Sequence, residues 1–338
     1  MADRPRYTRD QLEQFFDRIE LPEHERVYSV MTMQDIDKLM YLGLLTKHTL
    51  VRIPFENLTQ HYSWHRVVNV RPQHLFNKIV RQPSRRGGYC MEANSLFHTV
   101  LLSLGYQVFM AGARVYEPKL ERYGGFSHCV NIVILGGPSR ERFMVDVGFG
   151  ANGPTVPMPL VSDSQYLHLE HATGSPSYTR LMYAPIPQQV DQSCKVWIYQ
   201  HRVPAREADW TPMYCFVDFE FLLEDIRGMN LSPWKSPSSF FTHKIMLTRF
   251  TTNVEMDGSD GPGSASQMAI AEGNIDGALI LFQDTLKWRR NGETKLEIKF
   301  ENEEQRVDAI RRYFGIELDE EDQAAIRGTT SEIKSTSS

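Results

Sequence analysis

A chain of 338 residues, 41% hydrophobic and 23% charged, has ordinary globular composition and ample length for a large core. Its formal net charge of −5 argues against non-specific nucleic-acid binding, which needs a basic face, and leaves room for a local patch that takes a small anionic ligand. No apolar run approaches the ~18 residues of a membrane span, and the opening MADRPRYTRD lacks the apolar stretch of a signal peptide, so a cytoplasmic protein without membrane association is expected.

The first hundred residues read as helices. Thr8 and Gln11 make a capping-box pair ahead of Leu12, Phe15, Phe16 and Ile19 at helical spacing. Thr32 with Asp35 resembles a second cap, leading into Ile36, Leu39, Met40 and Leu42. Pro72 suits the first turn of a third helix carrying Leu75, Phe76, Ile79 and Val80. A fourth begins near Cys90, carries Leu96, Phe97, Val100, Leu101 and Leu104, and stops at Gly105.

The period then changes. Residues 107–116, 128–135, 142–149, 195–203 and 213–221 are short, rich in β-branched and aromatic residues, and read as strands. The Pro-, Ser- and Gly-rich stretch 150–193 reads mostly as loop. Further strands are expected over 244–252, 279–289 and 293–301, the last two flanking the hairpin signal Asn291-Gly292. Residues 256–267 (MDGSDGPGSASQ) read as a flexible loop, a charged helix is expected within Glu303–Phe314, and the Ser/Thr-rich tail from Thr329 as disordered. Helices, then antiparallel strands, then a mixed block predict an α+β fold and not a doubly wound parallel sheet.

The four cysteines, Cys90, Cys129, Cys194 and Cys215, form no CxxC pair and no array with histidines, so neither a disulfide framework nor a metal site is expected. The stretch RRGGYCMEAN at 85–94 is the most informative. Gly87 and Gly88 let the backbone turn sharply and approach a ligand closely. The helix starts at once, so Cys90 sits at a helix N-terminus, where the partial positive charge favours thiolate, and thiolate is the form that attacks a carbonyl carbon. A nucleophile of this kind needs a base and the base an orienting group. His128, in GGFSHCV at 124–130, follows a glycine turn into a strand. Asp146, in FMVDVGFG at 143–150, is an acidic residue inside an otherwise apolar strand, costly to bury without a partner. Strands 128–135 and 142–149 share a short connection, so an antiparallel hairpin brings His128 and Asp146 together at its open end.

The motifs RGGYCMEAN, GGFSH and VDVGFG, with RIPFENL at 52–58 and LLEDIRGMNLSPWKSPSSFF at 222–241, closely resemble the arylamine N-acetyltransferase family over about residues 10–315. The resemblance implies an N-terminal helical bundle over 1–106 carrying the catalytic Cys90, a central antiparallel β-barrel over 107–221 carrying His128 and Asp146, and a C-terminal α/β lid over 222–328, with a papain-like Cys-His-Asp triad; 329–338 is left as tail. It implies a ping-pong acyl transfer from acyl-CoA, a co-substrate and not a bound cofactor, to an aromatic amine, with no obligate protein partner. Position by position, Gly124 and Gly125 match a CoA-contacting stretch, and Ser238 and Ser239 match serines that meet the pantetheine arm. Ser127, His128 and Phe149 match acceptor contacts, and Arg86 with Glu92 matches a charged pair that braces the catalytic loop. Ser232 stands where some members place a CoA-contacting tyrosine, and Ala93 replaces a glutamine common in the cysteine motif. The 256–267 loop reads as an insertion.

Two other readings share the Cys-His-Asp order or its scaffold. A papain- or transglutaminase-like enzyme would want a long peptide groove and a Trp or Gln beside the oxyanion site. A non-enzymatic binding protein would keep Cys90 as a redox-sensitive thiol.

Overall fold

The computed structural model describes residues 4–136, 140–169, 177–202, 209–259 and 273–334. Helix α1 (Arg9–Arg18) starts on the expected capping box, Thr8 with Gln11. Helix α2 (Asp35–Arg52) starts at Gln34 with no side-chain cap, not on Thr32. Burial of its later residues, Tyr41, Leu42 and Leu45 among them, holds it, while Ile36 and Met40 stay exposed. Pro72 opens α3 (Pro72–Leu75), which runs on as a π-helical turn, Phe76–Arg81. Helix α4 (Cys90–Leu104) starts at Cys90 and ends on Gly105 in the left-handed region. Apart from Ser103 every residue of α4 is buried, which places it in the middle of the core and not on the surface. The largest apolar cluster joins Phe15, Phe16 and Leu45 of the first helices to Phe97, Val100 and Leu101 of α4 and to Val133 and Val145 of the sheet behind.

That sheet is wholly antiparallel and has eight strands in the order β5-β4-β3-β2-β9-β8-β7-β6. They are β2 (Gln107–Glu117), β3 (Arg122–Leu135), β4 (Glu141–Val145), β5 (Met158–Pro159), β6 (Gln165–Leu169), β7 (Ser177–Ala184), β8 (Val196–Arg202) and β9 (Thr211–Phe216). Among the described residues the sheet ends on β5 and β6, so it is an open sheet where a β-barrel was expected. The β5 edge is two residues long and ends on a proline, which offers no N–H for another strand. Strand β7 lies in the stretch read as loop. It alternates with period two, but its inward residues include Ser177 and Thr179, so the pattern is not apolar.

The last third adds α5 (Leu223–Lys235) and a five-stranded sheet, β1-β10-β11-β12-β13. Its members are β1 (Phe55–Glu56), β10 (Met246–Thr252), β11 (Ile275–Phe282), β12 (Thr285–Arg290) and β13 (Glu293–Lys299). The single strand expected over 279–289 is a hairpin turning at Gln283. Asn291-Gly292 turns the next one, both residues at positive φ. Helix α6 (Glu303–Phe314) covers this sheet through Ile310, Tyr313 and Phe314, and a short α7 (Glu320–Ala324) follows. The tail, expected to be disordered, is docked over 329–334. Ser331 is buried, its hydroxyl donates to the His243 carbonyl at 2.9 Å and its own carbonyl accepts from Arg306. Of the expected 256–267 loop, 260–267 lies outside the described residues.

Candidate active site

The loop before α4 is clamped to the strand β1. Gly88 donates to the Pro54 carbonyl at 3.3 Å and accepts from the Glu56 amide at 3.2 Å. A Cβ on Gly87 would stand 1.8 Å from the Pro54 oxygen, and one on Gly88 2.6 Å from Glu92 Cβ. Neither glycine has positive φ; the strained residue is Arg85, at φ 50°. The glycines are there for backbone packing within the chain, and the positive φ expected of a sharp turn falls on Arg85 instead.

Four charged side chains are buried under this loop. Arg86 does not pair with Glu92. Its Nε donates to Glu56 Oε1 at 3.0 Å, and Nη2 to Glu56 Oε2 at 3.2 Å. Glu92 instead accepts from Lys78 Nζ at 2.8 Å and from the Tyr89 amide at 3.3 Å, so it caps the helix that begins with Cys90. Lys78 also lies 3.5 Å from Glu56. Burial pushes the Glu56 carboxyl up, but Arg86 and Lys78 outweigh it and hold the group at about 2. Burial dominates at Glu92 and raises it, Lys78 offsetting only part.

Strand β3 carries His128 to the end of this helix. Pairing with β2 slips twice: Ala113 faces His128, but Arg114 faces Phe126 and Tyr116 faces Tyr123. Ser127 and the Gly124-Gly125 pair therefore sit in bulges within the strand, and the turn lies earlier, at 118–121. Bulges bend a strand and re-aim its side chains. Asp146 comes one residue past β4, which pairs with β3 through Asn131 and Val145. His128 Nε2 lies 2.7 Å from Asp146 Oδ2, leaving Nδ1 for the hydrogen bond with the Cys90 side chain. The Cys90 thiol also lies 3.6 Å from the Ser127 carbonyl. All three side chains are buried. Burial disfavours the charged imidazole, but the Asp146 carboxylate and the hydrogen bonds to Asp146 and Cys90 outweigh it and raise His128 to about 10. Asp146 moves the other way: burial pushes its carboxyl up, and His128, Asn94 and the Gly148 amide more than offset that and lower it. Phe149 and Tyr214 pack on the His128 ring, with centroids 5.2 and 4.9 Å away.

Sequence reasoning missed Asn94 and Gly148. Asn94, one helical turn after Cys90, donates to Asp146 Oδ1 at 2.9 Å and to the Cys129 carbonyl at 2.8 Å, and accepts from the Val147 amide at 3.0 Å. Its place at i+4 from the cysteine, on the same face of the helix, is the signal that points to it.

A cavity of about 570 Å³ opens over Cys90 and His128. Gly124, Gly125, Ser127, Phe149, Ser232, Ser238 and Ser239 line it, with Glu117, Phe240 and Phe241. Asp146 lies behind His128, and Arg86 and Glu92 lie behind the Cys90 loop.

A family model described as N-acetyltransferase matches residues 35–257, well over half of the chain. The chain belongs to the arylamine N-acetyltransferase family. It is 30% identical, over 96% of its length and 93% of the relative's, to an N-malonyltransferase of Gibberella moniliformis. It is 26% identical to arylamine N-acetyltransferase 2 of Mus musculus, covering 87% of this chain and 93% of that one. Among solved structures it superposes on the Mycobacterium marinum arylamine N-acetyltransferase in complex with CoA with a TM-score of 0.68 at 25% identity, covering 94% of this chain and 99% of that one. The Salmonella typhimurium enzyme matches its fold with a TM-score of 0.70 at 22% identity, over 94% of this chain and 98% of that one. As a member of the arylamine N-acetyltransferase family the chain is an acyltransferase that takes its acyl group from CoA. No helix among the described residues is long and apolar enough to cross a membrane.

Proposed function

We propose that this chain is a cytoplasmic, CoA-dependent N-acyltransferase that moves an acyl group to an arylamine, arylhydrazine or N-hydroxyarylamine through an acyl-Cys90 thioester. The observation that carries the reading is the 2.7 Å His128–Asp146 contact beside a cysteine that opens a helix under the cavity. The Cys90 sulfur attacks the thioester carbonyl carbon, the carbon–sulfur bond to CoA breaks, and His128 gives its proton to the departing CoA thiolate. The amine nitrogen then attacks the acyl-enzyme, His128 takes its proton, and the Cys90 sulfur leaves. Asp146 holds the imidazole in the tautomer this needs.

The remaining side chains fit roles around these steps. Gly124, Gly125, Ser238 and Ser239 contact CoA. Ser127 and Phe149 contact the acceptor. Arg86 and Glu92, each through its own partner, brace the loop. Segment 1–106 supplies the nucleophile, 107–221 the base and its orienting carboxylate, and 222–328 the roof. Acetyl is the favoured acyl group, because among the described residues the side chains lining the cavity include one carboxylate, Glu117, and no arginine or lysine. A second reading, malonyl, is favoured by the identity to the Gibberella N-malonyltransferase.

Incubation with acetyl-, propionyl- and malonyl-CoA, followed by mass measurement of the intact protein, tests all of this. A covalent adduct that is absent in Cys90→Ala and discharged by aniline supports the reading, and the donor that reacts fastest names the acyl group. No adduct from any donor overturns it.

A further inference from the structure

The polar chain behind Asp146 does not end at Asn94. The Asn94 backbone carbonyl accepts from Asn131 Nδ2 at 3.0 Å, and Asn131 Oδ1 faces His98 Nδ1 at 3.0 Å. These bonds fix the tautomer. Asn131 offers His98 an oxygen, so Nδ1 carries the hydrogen and donates. Burial pushes His98 down to about 4, so the ring is neutral and Nε2 is a bare acceptor. His98 is only 6% exposed, and its Nε2 has no hydrogen-bond partner among the described residues.

A separate cavity of about 320 Å³ lies on this side of α4, away from Cys90. His98, Thr99, Leu102, Met110, Phe221 and Leu222 line it, together with the charged Arg4, Glu220 and Glu224. Leu222 is exposed, and the exposed ion pair Arg4–Glu220 stands beside it. An apolar cavity of about 150 Å³ is enough to hold benzene. Arg4 and Glu220 already pair with each other, and the mainly apolar remainder with its one ring acceptor suits an uncharged ring carrying one hydrogen-bond donor.

We propose that this cavity is a second ligand site, taking an uncharged single-ring aromatic with an O–H or N–H donated to His98 Nε2, and that its occupancy reaches the candidate catalytic histidine through Asn131, Asn94 and Asp146. The binding half stands on the cavity and His98 alone. The coupling half rests on the proposed role of His128. The ligand class is also that of the acceptors, so an acceptor or its product modulates its own transfer from this site.

The test is a titration of the full chain with phenol, following the histidine ring carbons by NMR, with the His98 signal assigned by its loss in His98→Gln. The His98 signal shifts saturably with phenol. Anisole, which lacks the donor, binds about tenfold more weakly, the loss of one hydrogen bond to a buried acceptor. Leu222→Trp, an exposed position at the cavity, closes the site and weakens phenol by about tenfold or more. The His128 signal shifts with the same midpoint and loses that shift in Leu222→Trp. An unmoved His98 signal, or equal binding of anisole, overturns the site. A His98 shift that saturates while His128 stays still, or a His128 shift that survives Leu222→Trp, overturns the coupling. Each result is read whether or not Cys90 takes an acyl group, so failure here is distinct from failure of the proposed function.

Discussion

Gly148 lies against the backbone of Cys90: a Cβ built on it would stand 2.8 Å from Cys90 Cα and 2.9 Å from Asn94 Nδ2. The residue that follows the Asp146–Val147 turn is thus the floor on which the helix start rests. Backbone cannot rotate away from such a contact as a side-chain end can. Gly148→Ala is expected to cost about 1–3 kcal/mol by overpacking and to displace Cys90 from His128. Denaturant unfolding gives the first quantity and the rate of CoA release from acyl-CoA the second. An alanine variant with wild-type values of both would show that the floor yields freely.

Asp146→Asn should keep the fold yet slow acylation. One oxygen still accepts from Asn94 and Gly148, but the amide now meets His128 Nε2 where a carboxylate stood. That favours the wrong tautomer, and the loss expected is roughly ten-thousand-fold, as in a serine-protease triad treated the same way. Near-normal CoA release from this variant would remove Asp146 from its proposed role.

Acid should act on stability through Glu56. Its folded-state carboxyl is held at about 2, below the ordinary 4.5. Such a group contributes stability that is present above about pH 4.5 and is lost as the pH falls through about 2. Glu92, raised by burial, works in the opposite sense. Glu56→Gln isolates the first contribution. It leaves Arg86 buried without its carboxylate, while Lys78 keeps Glu92, at about 3–5 kcal/mol near neutrality. It should also flatten the fall in stability between pH 4.5 and 2. A variant with the parent's acid profile would locate the acid-sensitive group elsewhere.

His128 carries the reverse sign. Its folded-state value, about 10, lies above the ordinary 6.5, so its contribution to stability is complete below about pH 6.5 and fades as the pH rises through about 10. The His128 ring signal should therefore not titrate between pH 5 and 8, where an unperturbed histidine does. A midpoint near 6.5 would mean that the Asp146 carboxylate does not hold the imidazolium.

Part of this was legible in the sequence and part was not, for physical reasons. Helix α4 announced itself because apolar spacing and a left-handed terminal glycine coincide, and the His128–Asp146 contact because a carboxylate among Phe143, Met144 and Val145 demands a partner. Helix α5 was illegible: Gly228 and Pro233 lie inside it, and only Ile226, Asn230 and Pro233 are buried, so neither propensity nor periodicity marks it. The bulges at Ser127 and Gly124-Gly125 depend on register with β2, which local sequence does not encode. The partners of Arg86 and Glu92 come from Glu56 and Lys78, distant in the chain and brought near only by packing.

Strand β1 has a bearing on synthesis. Phe55 faces Thr248 on β10 and bridges Gly88 in the loop ahead of Cys90. The nucleophile's loop is therefore shelved on a strand whose other neighbour is translated much later. A nascent chain released after β9 has Cys90, His128 and Asp146 but lacks the shelf's outer edge. Contacts this far apart in sequence form slowly and late, so a thiol reagent applied to ribosome-bound chains of increasing length should label Cys90 at the rate of the finished protein only once β10 has emerged.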